Sequence, residues 1–142
     1  MCIIGSMSQD LMTDPELALL AAKAMEMAYA PYSKFRVGAA LVTEDGVVFT
    51  GSNVENVSYG LTVCAERVAV FKAVSSGHTR IARIAVAASS GEEVFPCGAC
   101  RQVLNEFGPS MPVITYSGGK MAGKYPLSEL LPHAFGPGNL EK

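Results

Sequence analysis

Three cysteines in two short segments constrain the fold of this chain more than any other feature of its sequence. Cys64 opens one segment, and Cys97 and Cys100 form a Cys-x-x-Cys pair that begins 33 residues further along the chain. Such a pair can hold one tetrahedral metal ion through both sulfurs. If Cys64 supplies a third sulfur, the intervening residues must leave and return to the same edge of a sheet.

Both cysteine segments begin predicted helices. The free N–H groups and the positive dipole end of a helix N-terminus favour thiolates, so we expect these positions to lower thiol pKa values. Three protein ligands leave a fourth position for water, as in catalytic zinc sites. Glu66 lies two residues after Cys64, where its carboxylate can take a proton from that water and pass it to a substrate. This pattern predicts a hydrolase with Glu66 as the catalytic residue.

Two arginines are candidates to support the sulfurs. Three thiolates on a divalent cation leave a local charge of −1, which weakens the cation as a Lewis acid. Arg67 lies one helical turn after Cys64, so it can donate hydrogen bonds to the sulfurs and offset that charge. We expect Arg101, beside Cys100, to act in the same way.

Two other interpretations of the cysteines remain open at this point. A Cys-x-x-Cys pair can be a redox pair, and a structural zinc site would need a fourth ligand. Cys2, His78 and His133 are the candidates for that ligand, but none has a ligand-like spacing to the others. Cys2 is interpreted as incidental.

Composition limits the class of protein. The 142 residues suit one domain, and 49% of them are apolar, enough for a hydrophobic core. The net charge of −2 and the absence of a basic block disfavour a nucleic acid partner, and no apolar run is long enough to span a membrane. The first residues lack the features of a signal peptide, so we expect a reducing, cytoplasmic location with free cysteines. We expect residues 1–12 to be a flexible tail and 13–142 to be a single catalytic domain.

Hydrophobic periodicity and turn signals predict an α/β order with short connections. A helix starts at Thr13-Asp14-Pro15-Glu16 and continues to residue 28, and Glu44-Asp45-Gly46 joins two strands as a hairpin. The remaining expected elements are helices at 62–76, 98–107 and 127–131 and strands at 35–43, 47–53, 81–88 and 113–116. Helices and strands in this order predict a sandwich around one sheet.

Five segments, in order, carry a resemblance to a known family. Cys-Ala-Glu-Arg at 64–67 and Pro-Cys-Gly-Ala-Cys-Arg-Gln-Val-Leu at 96–104 resemble the zinc signature of the cytidine deaminases, and segments 29–41, 51–59 and 130–135 resemble its other motifs. The chain is similar to the small, homotetrameric type whose ligands are all cysteines. The resemblance implies a three-layer α-β-α sandwich with a mixed, roughly five-stranded sheet and one Zn²⁺ per chain. It further implies deamination of cytidine and 2′-deoxycytidine in pyrimidine salvage.

The same resemblance assigns roles to residues around the metal. It implies that Phe35 packs on the pyrimidine ring and that Asn53 and Glu55 hold the ribose 3′-hydroxyl. The backbone N–H of Ala65 and the carboxylate of Glu66 are then the groups that read O2 and N3 of the base.

The resemblance also implies a role for two aromatic residues at the contact between subunits. Tyr59 and Phe135 match residues that reach the active site of a neighbouring subunit, so a lone chain would have an incomplete pocket. The chain departs from the family's usual pattern at Val57, where Ala is usual, and at Phe95, where Ser or Thr is common. We expect these two departures to affect substrate preference rather than the reaction.

Two rival functions remain open on the sequence. One is a deaminase of another substrate, either a nucleoside-like antibiotic such as blasticidin S or cytosine in RNA. The other is a zinc-stabilised binding module without catalysis, which predicts a fourth protein ligand.

Overall fold

A computed structural model of the chain describes residues 3–6 and 12–140. Its strands are β1 (Ile3–Ser6), β2 (Val37–Thr43), β3 (Val47–Ser52), β4 (Ile81–Ala88), β5 (Pro112–Ser117) and β6 (Lys120–Pro126). Its helices are α1 (Asp14–Ala24), α2 (Ala65–Ser75), α3 (Gly98–Phe107) and α4 (Leu127–Leu130), with short 3-10 turns at Met25–Met27, Tyr59–Leu61 and Pro137–Asn139. Within the described residues, no helix combines the length and the apolar character that crossing a bilayer requires.

The strands form one mixed sheet in the order β1-β3-β2-β4-β5-β6. The β4–β5 pair is parallel, whereas the other neighbouring pairs are antiparallel. The hairpin between β2 and β3 turns at Gly46, whose φ of 88° lies in the left-handed region that glycine adopts without a steric penalty. Helix α3 makes the crossover that a parallel pair requires.

Each face of the sheet buries its own apolar cluster. Side chains alternate between the faces, so Leu41 and Ile84 pack under α2 and α3, while Val42 and Ala85 pack under α1. Because helices cover both faces, the central strands are apolar along nearly their whole length. The structure therefore confirms the predicted three-layer α-β-α sandwich with a mixed sheet, to which the short edge strand β1 adds a sixth strand.

The register of the sheet brings three chain segments to one edge. Ser52 at the end of β3 pairs with Gly38 at the start of β2, and Val37 pairs with Ala88 at the end of β4. The loops that lead into α2 and α3 therefore leave from the same edge, beside the segment before β2. The chain between the two cysteine segments therefore leaves and returns to the same edge of the sheet, as a shared metal ion would require.

Several predicted boundaries need correction. Helix α2 begins at Ala65 rather than at residue 62, and α1 ends at Ala24 with a 3-10 turn in place of its predicted last turn. Phe35 precedes β2 rather than lying in it, and strand β6 was not predicted. The domain division stays a prediction. Most of its tail, including Cys2, lies outside the described residues, although the backbone of Ile3–Ser6 pairs with β3.

Candidate metal centre and catalytic pocket

The three cysteine sulfurs converge at the edge of the sheet. Cys64 is the N-cap residue of α2 and Cys97 is the N-cap residue of α3, and Cys100 lies in the first turn of α3. Their Sγ atoms all lie within 4.8 Å of one another, and the Sγ atoms of Cys64 and Cys97 are 3.8 Å apart. Among the described residues, these three cysteines are the one cluster of potential ligands that could hold a metal ion.

This donor set fits zinc. Two sulfurs that bind one tetrahedral zinc at about 2.3 Å are separated by about 3.8 Å, which is the separation between Cys64 and Cys97. Thiolate is a soft ligand that suits zinc, copper(I) and iron–sulfur clusters, and three protein ligands leave one tetrahedral position open. Residues Cys64, Cys97 and Cys100 would therefore hold the ion.

Arg67 lies within hydrogen-bonding distance of the sulfur cluster, and its support of the bound metal stays a prediction. The Nη2 of Arg67 donates to Cys64 Sγ at 3.5 Å, while its buried Nε has no hydrogen-bond partner within the described structure. A hydrogen bond from Cys100 is the main cause that lowers the pKa of Cys64 to about 5; burial opposes it, and a hydrogen bond from Arg67 adds to it. The pKa of Cys100 is raised by the same interaction with Cys64, so without a metal the thiolate is favoured at Cys64 over Cys100.

Arg101 does not take the role that the sequence predicted beside Cys100. Its Nε donates to the carbonyl of Pro96 at 2.6 Å, and its Nη1 donates to the carbonyl of Leu130 at 2.7 Å. The Leu130 carbonyl belongs to the last residue of α4, where carbonyls have no intrahelical partner. Arg101 therefore ties the loop before Cys97 to the C-terminal segment, instead of supporting the sulfurs.

Glu66 is buried beside the cluster, with 4% of its surface exposed. Burial, which disfavours the charged carboxylate, is the main reason that the pKa of Glu66 rises to about 7, and the nearby Cys64 thiolate adds to the effect. A group with a pKa near neutrality can both accept and release a proton at physiological pH. Glu66 lies in the first turn of α2, directly after Ala65, whose backbone N–H is among those that a helix start leaves unpaired.

A cavity of about 280 Å³ opens in front of the sulfurs. Its lining is mostly apolar and includes Phe35, Val86 and Phe95, while Cys64, Cys97, Ala65 and Glu66 form its metal end. Ser33, Asn53 and Glu55 form its polar part. An apolar cleft with a few convergent polar groups is typical of a small-molecule site.

Asn53 and Glu55 both lie in the cavity and both bind the loop before β2. The buried Asn53 side chain accepts from the N–H of Val37 at 2.8 Å and donates to the carbonyl of Phe35 at 2.9 Å. The half-buried Glu55 carboxylate accepts from the N–H of Ser33 at 3.1 Å and from the Ser33 hydroxyl. Contact of Asn53 and Glu55 with a sugar stays a prediction.

Tyr59 and Phe135 are exposed aromatic residues, 77% and 58% accessible. Tyr59 lies in a second cavity of about 400 Å³ that shares Ser33, Glu55 and Thr62 with the first. Phe135 lies near the C-terminus, where its carbonyl accepts hydrogen bonds from Gln102 and Asn105 of α3. Their predicted contact with a neighbouring subunit remains a prediction.

Sequence reasoning missed five residues of the cavity lining, namely Ser33, Val37, Thr62, Val86 and Val94. The sequence carries no signal for Ser33, and only the structure marks it, because it directly precedes Lys34, a non-glycine residue with a positive φ of 61°. Such a conformation marks a turn that the surrounding contacts must hold, and it often occurs at functional sites. Thr62 and Val94 have no such structural mark and no signal in the sequence.

Comparison with known proteins agrees with this geometry. Residues 12–116 match the family model described as the cytidine and deoxycytidylate deaminase zinc-binding region. The chain belongs to the cytidine and deoxycytidylate deaminase family. The zinc signature of this family and the cluster of Cys64, Cys97 and Cys100 together support one zinc ion per chain.

Individual members of this deaminase family match over most of their length. The chain is 51% identical over 118 residues to the cytidine deaminase of Halalkalibacterium halodurans, which covers 81% of this chain and 88% of that protein. It is 46% identical over 122 residues to the cytidine deaminase of Mycobacterium tuberculosis, covering 86% and 89% of the two chains. The crystal structure of cytidine deaminase from Burkholderia pseudomallei superposes with a TM-score of 0.78 at 50% identity, covering 84% of this chain and 96% of that one.

Proposed function

We propose that this chain is a zinc-dependent cytidine deaminase that converts cytidine and 2′-deoxycytidine, with water, to uridine and 2′-deoxyuridine and releases ammonia. The observation that carries the proposal is the cluster of three sulfurs next to the buried Glu66 at the end of an apolar cavity. The curated relatives that match most of the chain are cytidine deaminases, which favours this activity over an antibiotic or RNA substrate and over a non-catalytic zinc module.

Each group around the cavity has a chemical role in this reaction. When bound, zinc supplies a water that is nucleophilic at neutral pH. Glu66 takes a proton from the attacking water, passes it to N3 of the base, and then delivers a proton to the departing amine. The N–H of Ala65 binds O2 of the base, and Phe35 packs against the pyrimidine ring.

The polar end of the cavity suits a free nucleoside. Asn53 and Glu55 offer an amide and a carboxylate, which give a sugar hydroxyl both a donor and an acceptor. The net charge of −2 is also unlike that of proteins that bind nucleic acid backbones. We therefore propose free nucleosides as substrates and pyrimidine salvage as the setting.

The Glu66→Gln variant tests the catalytic assignment. Loss of cytidine absorbance measures turnover, and metal analysis measures zinc per chain. We expect full zinc content with activity lowered by about 10²–10⁴-fold, the usual contribution of a general acid–base. Glu106→Gln, which changes an exposed glutamate of α3, is the control. Near-native activity of Glu66→Gln would remove Glu66 from this role, and no turnover by the zinc-loaded parent would refute the proposed function.

We also propose a homotetramer with shared active sites and a location in the cytoplasm. The exposed aromatic side chains of Tyr59 and Phe135 support contact between subunits. A reducing compartment suits three cysteines that are free of disulfides. Light scattering would test the assembly by mass, and a monomer that is fully active would contradict shared sites.

A further inference from the structure

Phe95 occupies a part of the cavity that the proposed mechanism does not use. It lies two residues before Cys97, and its ring lines the cavity although 39% of its surface is exposed. A large aromatic side chain that stays half-exposed beside a metal site needs support from its neighbours to act as a wall. That support comes from two strands of the sheet.

Glu93 joins the Phe95 loop to β5 and β6. One oxygen of its carboxylate accepts hydrogen bonds from the hydroxyl of Thr115 at 2.5 Å and from the hydroxyl of Tyr125 at 2.8 Å. These two hydrogen bonds, first that of Thr115, lower the pKa of Glu93, so the carboxylate is ionised at neutral pH. Charge-assisted hydrogen bonds of this kind are stronger than neutral ones.

Tyr125, held by Glu93, packs against Phe95 in the cavity wall. Its ring meets the ring of Phe95 edge-on, with centroids 5.1 Å apart and an interplanar angle of 62°. Edge-to-face aromatic pairs have a preferred geometry, so a fixed Tyr125 restricts the orientation of Phe95. The same loop is tied a second time, because the carbonyl of Gly91 accepts from the hydroxyl of Ser117 and from the N–H of Gly118.

Two elements at the metal end of the cavity determine which edge of the pyrimidine base faces Phe95. One is the start of α2 with Ala65 and Glu66, and the other is the loop before α3 with Val94 and Phe95. In cytosine, N3 and C5 flank the reacting C4 on opposite sides. If N3 and O2 face α2, the C5 edge turns towards the loop that carries Phe95.

We propose that Phe95 is a specificity-determining residue that disfavours substituents at C5 of the pyrimidine, and that Glu93 is a positioning residue that holds Phe95 through Tyr125. This inference rests on the proposed deamination of cytidine. An added methyl group against an apolar wall changes kcat/KM by about 10–200-fold, so we expect the parent to prefer cytidine over 5-methylcytidine by tenfold or more.

The test is the ratio of kcat/KM for 5-methylcytidine to that for cytidine. Phe95→Ala should raise this ratio by about tenfold or more. Phe95→Leu, which keeps an apolar side chain, should raise it less and provides the measurement if the alanine variant does not fold. A ratio within twofold of the parent in the folded variants would overturn the role of Phe95. Failure of the parent to deaminate cytidine would instead refute the proposed function.

Variants of Glu93 test the positioning role separately. Glu93→Ala and Tyr125→Phe should each raise the selectivity ratio, whereas Glu93→Gln, which keeps a hydrogen-bond acceptor, should stay near the parent. Glu92→Ala removes a neighbouring exposed carboxylate of the same loop and is the matched control. In a Phe95→Ala background, Glu93→Ala should leave the ratio unchanged. An equal effect of Glu93→Ala with and without Phe95 would overturn the idea that Glu93 acts through it.

Discussion

Replacing Gly51 by alanine tests whether close packing of β3 against α2 sets the position of the metal ligands. A Cβ on Gly51 lies 2.5 Å from the backbone nitrogen of Ala69 and 2.6 Å from the carbonyl oxygen of Ala65. Ordinary van der Waals contact starts at 3.4 Å, so the helix backbone must move by about 0.9 Å to accept the methyl group. Because Cys64 and Glu66 lie at the start of this helix, the metal site must move with it.

The size of the stability loss depends on how rigid the α2 backbone is where it meets the added methyl group. Overpacking costs about 1–3 kcal/mol, and we expect the upper end because the clash is with backbone rather than with a side-chain tip. For a chain of this size that loss lowers Tm by roughly 10 °C. A shift of about 1 Å in the catalytic groups lowers activity by about 10²-fold.

Thermal unfolding, zinc content and cytidine turnover measure these effects together. Gly98→Ala is the matched control, since Gly98 lies beside Cys97 at the start of α3 and a Cβ there meets nothing within 4 Å. We expect its Tm to match that of the parent. If Gly51→Ala keeps the parent's Tm, zinc and activity, close packing of β3 on α2 does not position the ligands.

At neutral pH, Asp14→Asn should lower the free energy of unfolding by about 1–2 kcal/mol, because Asp14 bonds Arg83 and lies 2.7 Å from the Lys124 ammonium. Burial raises the pKa of Asp14, but hydrogen bonds from Lys124 and Arg83 outweigh it, so the net pKa is lowered. Urea titrations should therefore show the full difference in unfolding free energy between parent and variant above about pH 4, and a smaller difference at lower pH. A difference that does not change with pH would contradict this linkage. Thr13→Ala should lower stability by about 1 kcal/mol in the same assay, with Thr13→Ser near the parent, because the Thr13 side chain accepts from the N–H of Glu16 and the Glu16 carboxylate bonds back. Removal of zinc by a chelator should lower Tm and abolish turnover, and added Zn²⁺ but not Mg²⁺ should restore both, since three thiolates are poor ligands for Mg²⁺.

The metal ligands and the helices they begin were predictable because their signals are local. Helix α3 has the predicted bounds Gly98–Phe107, and its glycine stop directly follows the last helical residue. The convergence of Cys64 with Cys97 was predictable from chemistry rather than from propensity, because a shared metal requires it. Arg67 was also predictable, since its distance along α2 from Cys64 is one turn.

Features that depend on tertiary partners were not predictable in this way. Strand β6 contains Gly123, two lysines and a final proline, all of low strand propensity, and it forms because β5 offers an unpaired edge. Arg101 lies close to a cysteine in the sequence, as Arg67 does. The carbonyls of Pro96 and Leu130 determine where it points, and only the fold reveals that they are near.

Asn53 has a structural role that bears on the substrate role proposed for it. Its position after β3 is typical of a turn, while the family resemblance assigns it to the sugar. In the structure its side-chain amide pairs with the backbone carbonyl of Phe35, just before β2, and with the backbone N–H of Val37, the first residue of β2. An amide oxygen has two lone pairs and an amide nitrogen has two hydrogens, so one of each remains for a hydroxyl in the cavity. The contacts that hold Asn53 in place therefore orient the groups that it would present to a nucleoside.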